Sequence, residues 1–112
     1  MKINTILDES VAIIQVEGSL SSEEKIIFEK EVNIHVEAGH HLIVDLSKVT
    51  FIDSATLGSI VKYFTIFRKG GKHLLLSSIN HQIYEVFQLT GITRQIKIFE
   101  TPEAAVDFIR GG

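Results

Sequence analysis

The best candidate for chemistry in this chain is an acid beside a hydroxyl, Asp53-Ser54. The pair stands at a junction. The apolar run Leu42-Ile43-Val44-Asp45-Leu46 has the length of a strand, a short polar connection follows, and Phe51-Ile52-Asp53-Ser54-Ala55-Thr56-Leu57-Gly58 opens a helix. The first amides of a helix are unpaired and lie at the positive end of its dipole. A serine hydroxyl placed there can be reached by another protein, and a phosphate on it would sit in a favourable field. Either Asp53 or Ser54 can serve as N-cap. If Asp53 caps, Ser54 is left with its hydroxyl outward.

Other chemistries find little support. Asp53-Ser54 has no histidine nearby in sequence and no G-x-S-x-G elbow, so a serine hydrolase is not assembled. Five histidines are present. His40 and His41 are adjacent and point apart on a strand, while His35, His73 and His81 find no ligand partner three or four residues on. Dispersed surface histidines are expected, with no metal site. Gly70-Gly71-Lys72 lacks the G-x-x-x-x-G-K-[ST] spacing and precedes a strand, so it reads as a helix terminator. Glu23-Glu24 suits the first turn of a helix. No set of base, nucleophile and oxyanion donors emerges, so no catalytic residue, enzyme activity or cofactor is expected.

Composition narrows the class further. A chain of 112 residues fits one domain spanning 1–112, able to bury roughly two-thirds of its unfolded surface. Its apolar and charged fractions, 45% and 22%, are those of an ordinary globular domain. The absence of cysteine excludes disulfides and thiolate sites. A net charge of −3 without a basic block argues against nucleic acid. No apolar run approaches the ~20 residues of a membrane span, and Met1-Lys2-Ile3-Asn4-Thr5 does not open a signal peptide. A cytoplasmic protein without membrane insertion is expected.

The elements that position the pair follow from hydrophobic periodicity. Lys2 to Leu7 and Val11 to Val16 read as a β-hairpin turning at Asp8-Glu9-Ser10, with Gly18 ending the second strand. Ser21 and Glu24 fit a capping box for a helix from about Ser22 to Ala38 that stops at Gly39. Phe28, Val32 and Val36 recur at i+4, although residues 32–36 also alternate as in a strand. His41 to Leu46 is a strand whose continuous aliphatic run predicts cover on both faces. Ala55 to Lys69 is an amphipathic helix with Leu57, Ile60, Val61, Phe64 and Phe67 inward. After Gly70-Gly71 come a strand over His73 to Ser77 and a helix capped by Asn80 that runs to Leu89, with Ile83, Val86 and Phe87 inward. A strand over Ile96 to Phe99 precedes a last helix, capped by Thr101 with Pro102 at its first position, that carries Ala105, Phe108 and Ile109 inward. The order β-β-α-β-α-β-α-β-α predicts an α/β fold with a mostly parallel, mixed sheet of about five strands and about four helices.

These residues resemble a known family. The stretch Ile43-Val44-Asp45-Leu46-Ser47-x-Val49-x-Phe51-Ile52-Asp53-Ser54-x-x-Leu57-Gly58 is similar to the signature of STAS domains, named for sulphate transporters and anti-sigma-factor antagonists. The likeness continues through Gly70-Gly71 and Leu74-Leu75-Leu76. It also takes in Ile83-x-x-Val86-Phe87-x-x-Thr90-Gly91-Ile92, Ile98-Phe99 and Glu103-Ala104-Ala105, and so covers about Ile3 to Ile109. The resemblance implies the STAS fold. For the stand-alone bacterial members it also implies an anti-sigma-factor antagonist that regulates transcription. Unphosphorylated, such a protein binds an anti-sigma factor that is also a serine kinase. Phosphorylation of the serine of the Asp-Ser motif, here Ser54, releases it, and a serine phosphatase restores binding. Asp53, Ser54, Ala55, Thr56 and Leu57 would form the contact patch, with Ser19, Ser21 and Ser22 along its rim. Two positions depart from the family pattern. Thr56 stands where the motif has its first glycine and offers a second acceptor. Gly18-Ser19-Leu20-Ser21 stands where the family carries Gly-Glu-Leu-Asp. The alternative is an unphosphorylated STAS interaction module, such as a transporter accessory subunit or a scaffold in a sensory complex.

Overall fold

The computed structural model describes residues 1–111. Strands β1 (Lys2–Asp8) and β2 (Val11–Leu20) form an antiparallel hairpin, with Asp8 opposite Val11. Helix α1 (Lys25–Ala38), β3 (His41–Ile52), α2 (Ser54–Lys69), β4 (Leu74–Ser77), α3 (His81–Thr90), β5 (Ile98–Phe99) and α4 (Pro102–Ile109) follow, with a short 3₁₀ turn at Ile92–Arg94. The sheet order is β1-β2-β3-β4-β5, and β2 through β5 are parallel. The predicted α/β architecture and element order therefore hold. The 3₁₀ turn was not anticipated.

Sheet order explains the layering. Each step from β2 to β5 moves one strand in the same direction, and right-handed crossovers then place α1, α2 and α3 on one face. Ile14, Val44 and Leu76 lie in register beneath them, in one core with Phe28, Val32, Ile60, Phe67 and Phe87. Helix α4 follows the last strand and crosses the opposite face, where Ala105 and Val106 pack on Val11, Ile43 and Leu75. Central β3 is thus covered on both sides, as its unbroken aliphatic run required.

Several boundaries differ from expectation, each for a tertiary reason. Gly18 does not end β2; it takes φ +101 beside a register shift, and the strand continues to Leu20. Its neighbour β3 likewise runs on to Ile52 instead of stopping at Leu46. Gly18, Ser19 and Leu20 pair with Val49, Phe51 and Ile52, so each strand extends the other. Buried Val49 and Ile52 anchor that extension. β4 and β5 are correspondingly shorter than predicted, beginning at Leu74 and Ile98. Helix α1 begins at Lys25, and the Ser21–Glu24 capping box does not form. Glu24 turns towards the Met1 amino nitrogen at 3.2 Å instead. The far end is as expected, with Gly39 in the left-handed conformation that only glycine enters without strain.

Inward faces also shift slightly. Tyr63 joins Leu57, Ile60 and Phe67 inside, while Val61 and Phe64 are half-buried. In α3, Ile83 and Phe87 are buried and Val86 is half-buried; in α4, Val106 takes the buried place expected of Phe108 and Ile109. His35 is no surface residue. It is only 4% exposed, with its ring between Glu31, 3.1 Å from Nε2, and His40, 3.0 Å from Nδ1. His81 also has a partner four residues on, Glu85 at 3.0 Å. Both are carboxylate pairs, and no group of three potential metal ligands exists among the described residues. No helix among the described residues is long and apolar enough to cross a membrane.

Candidate functional site at the start of α2

Asp53 leaves the carboxyl end of β3 in an extended conformation, φ −97 and ψ 171, and becomes the N-cap of α2. Its Oδ1 accepts from the Thr56 amide and the Thr56 hydroxyl, both at 2.9 Å. Its Oδ2 accepts from the Ser22 amide at 2.6 Å and the Ser22 hydroxyl at 2.8 Å. One carboxylate thereby caps the helix and ties down the β2–α1 loop. Ser22, expected as the first residue of α1, gives both its donors to an ionised acceptor, which binds them more strongly than a neutral group would, and α1 starts only at Lys25. These bonds, that of the Thr56 amide foremost and the Ser22 hydroxyl next, hold the Asp53 carboxyl at about 2, below its usual 3.8.

With Asp53 committed to capping, Ser54 becomes the first residue of α2 and is exposed. Ala55 beside it is exposed as well. The amides of Ser54 and Ala55 donate to no partner among the described residues, so two free N–H groups lie beside the hydroxyl. A negatively charged group on Ser54 would find both the dipole and these donors favourable.

The structure divides the residues predicted for this site. It brings together Asp53, Ser54, Ala55 and exposed Ser22, with Ser19 half-buried at the end of β2 and Ser21 half-buried in the loop after it. It removes Thr56 and Leu57 from any contact patch, since they are 0% and 6% exposed. Thr56 points inward because its hydroxyl serves Asp53, so it is no accessible second acceptor in the folded protein. Beneath it, Ser59 donates to Glu29 and joins α2 to α1. The sequence reading missed Phe51, which is 53% exposed two residues before the cap. Its partner across the ladder is Ser19, so it belongs to the same tip. A large aromatic left in solvent beside a polar helix start was the available signal.

These residues make a small α/β domain that presents an exposed hydroxyl at the start of a helix. Comparison with known proteins gives its class. A family model described as the STAS domain matches residues 2–105, and the chain belongs to that family. A relative from Thermotoga maritima, named as a candidate anti-sigma factor antagonist, is 31% identical over 104 residues, covering 91% of this chain and 92% of its own. The crystal structure of a candidate anti-sigma factor antagonist from that organism superposes with a TM-score of 0.89 at 27% identity, over 96% of this chain and 94% of the other. The anti-sigma factor antagonist SpoIIAA in its unphosphorylated form shares the fold, with a TM-score of 0.84 at 18% identity over 99% of this chain and 98% of its own.

Proposed function

We propose that this protein is an anti-sigma factor antagonist whose partner docks on the tip formed by Asp53, Ser54, Ala55, Ser22 and Phe51. The observation that carries the reading is the exposed Ser54 hydroxyl, held at the start of α2 by the four hydrogen bonds of Asp53. The partner is an anti-sigma factor with serine kinase activity, which transfers phosphate to Ser54; a serine phosphatase reverses the step in the cytoplasm. Phosphorylation adds about −1.5 to −2 charge at neutral pH. The helix start tolerates that charge through its free amides, but a protein surface packed against Ser54 meets a hydrated dianion and leaves. The domain need not refold, because the anchor on Asp53 and Ser22 lies beside the modified atom and not through it.

The test is incubation with the cognate kinase and ATP, followed by mapping of phosphate by mass spectrometry and a binding assay with the anti-sigma factor. Phosphate on Ser54 and binding lost with it are expected. Phosphate confined to other residues sinks the reading. A second reading is a STAS interaction module that is never modified, favoured by Gly18-Ser19-Leu20-Ser21 at the end of β2, a segment without acidic side chains. Partner binding by Ser54→Asp as tight as wild type would select it.

A further inference from the structure

The opposite end of α2 has a feature that the helix start does not use. Between Asp53 and Glu85 the chain contains no acidic residue, yet it carries Lys62, Arg68, Lys69 and Lys72. Folding gathers the last three at the C-terminal end of α2 and the turn after it. There a cavity of about 350 Å³ opens, lined by Phe64, Arg68, Lys72, His73, Lys97 and Phe108 among others. Among the described residues, no carboxylate lines it. Arg68, Lys72 and Lys97 have no ion-pair partner among the described residues.

The cations come from three separate places. Arg68 is in the last turn of α2, where a positive charge suits the helix dipole. Lys72 and Lys97 have no such reason. Lys72 lies in the loop before β4, and Lys97 immediately precedes β5. The aromatic rings are placed to match. The Arg68 guanidinium lies 5.6 Å from the Phe64 ring centroid, and the Lys97 ammonium lies 5.2 Å from that of Phe108. His73 meets the edge of Phe108 at 5.6 Å and stacks on His41 at 5.3 Å. The floor is apolar, with Leu74 and Leu75 each 3% exposed. His41 reports the local field: its pKa is lowered by burial, then by the positive charges of Lys72 and His73.

We propose that this cavity binds a small organic anion whose charged group is attached to a planar aromatic ring, an aryl phosphate or aryl carboxylate. The ring inserts between Phe64 and Phe108 over the leucine floor, and its anion is met by Lys72, Lys97 and Arg68. The size suits such a ligand, since small-molecule sites begin at roughly 300 Å³ and combine apolar walls with a few convergent polar groups. Rings and cations together discriminate twice: a neutral ring leaves the cations unpaired, and a bare anion leaves the apolar walls in water. At about 1.5 Å per residue, the length of α2 separates this cavity from Ser54 by roughly 24 Å. The site therefore stands or falls independently of the partner-switch reading.

Titration of isotope-labelled protein with α-naphthyl phosphate, followed by amide NMR, tests it. Saturable shifts are expected at Gly71, Lys72, His73, Leu74 and Lys97. α-Naphthol and inorganic phosphate should each bind about tenfold more weakly or worse, since each forfeits one set of contacts. A Lys72→Gln, Lys97→Gln double variant should lose about tenfold in affinity for naphthyl phosphate with its remaining spectrum intact. If that variant fails to fold, exposed Lys97→Gln alone gives the same reading in smaller degree. Absence of shifts at these amides overturns the proposal. So does naphthol binding as tightly as its phosphate, which reduces the cavity to an apolar surface. Inorganic phosphate binding equally well, or variants with unchanged affinity, overturn it also.

Discussion

The N-terminus of α2 is closed by one carboxylate that makes four hydrogen bonds, whereas its C-terminus opens onto a cavity whose cations have no carboxylate to meet. Both ends obey the helix dipole, negative charge at the start and positive at the finish. They differ in what is left over. At the start, Asp53 satisfies the loop and the cap together, and one exposed hydroxyl remains. At the finish, Arg68, Lys72 and Lys97 have no ion-pair partner among the described residues. A single helix thus presents a finished, rigid surface at one end and an unsatisfied one at the other. The first is the surface on which we propose that a protein partner docks. The second is the one we propose for a ligand that brings its own negative charge.

The contrast concerns polar chemistry, because both ends rest on one core. Phe67→Ala near the finish should therefore be the largest single loss, about 3–5 kcal/mol by urea denaturation, with Leu57→Ala near the start close behind at about 2–5 kcal/mol. A small effect at either position would mean that the two ends are separately supported. Next comes the pH dependence of the start. Folding holds the Asp53 carboxyl at about 2 against the usual 3.8, so it favours the ionised form. That stabilisation is complete above the usual value and drains away as pH falls towards 2. The stability gap between wild type and Asp53→Asn should accordingly close over this range, which melting curves at successive pH values would reveal. A gap independent of pH would show that the carboxylate is not the anchor.

Smaller effects sharpen the comparison further. Thr56→Val keeps the shape of a buried side chain and removes one donor to Asp53; it should cost about 0.5–1.5 kcal/mol and speed exchange of the Ser22 amide. Exchange unchanged at Ser22 would separate the cap from the loop. The finish should give the weakest signal. His41 has its pKa lowered from 6.5, so the folded state resists its protonation. Its contribution is intact above that value and is lost as pH falls below it. His41→Gln should flatten the stability profile slightly in that window. An unchanged profile would mean that burial, together with the charges of Lys72 and His73, does not hold the His41 pKa down.

Local chemistry was enough to place most of the elements. Asn80 and Thr101 cap α3 and α4 as their residue types require, and Gly39 and Gly91 end α1 and α3 in the left-handed conformation. The aliphatic run of β3 announced a central strand, and the Asp-Ser pair marked the start of α2. These are signals carried by residues within a few positions of one another, where propensity and capping act without help from the rest of the chain. The failures at the site all involve partners distant in sequence. Ser22 abandons its own helix for Asp53, thirty-one residues away. β2 and β3 outrun their predicted ends because each supplies the other's hydrogen bonds. Thr56 turns inward while Phe51 stays in solvent, and Lys97 reaches a cavity begun by Arg68 and Lys72. Sequence alone determined the order of the elements and the caps of α2, α3 and α4, because those choices are made by short-range sterics and periodicity. Only the tertiary structure decided which carboxylate serves which loop and which charges gather unpaired, because such competition is settled by groups that meet only once the chain has folded.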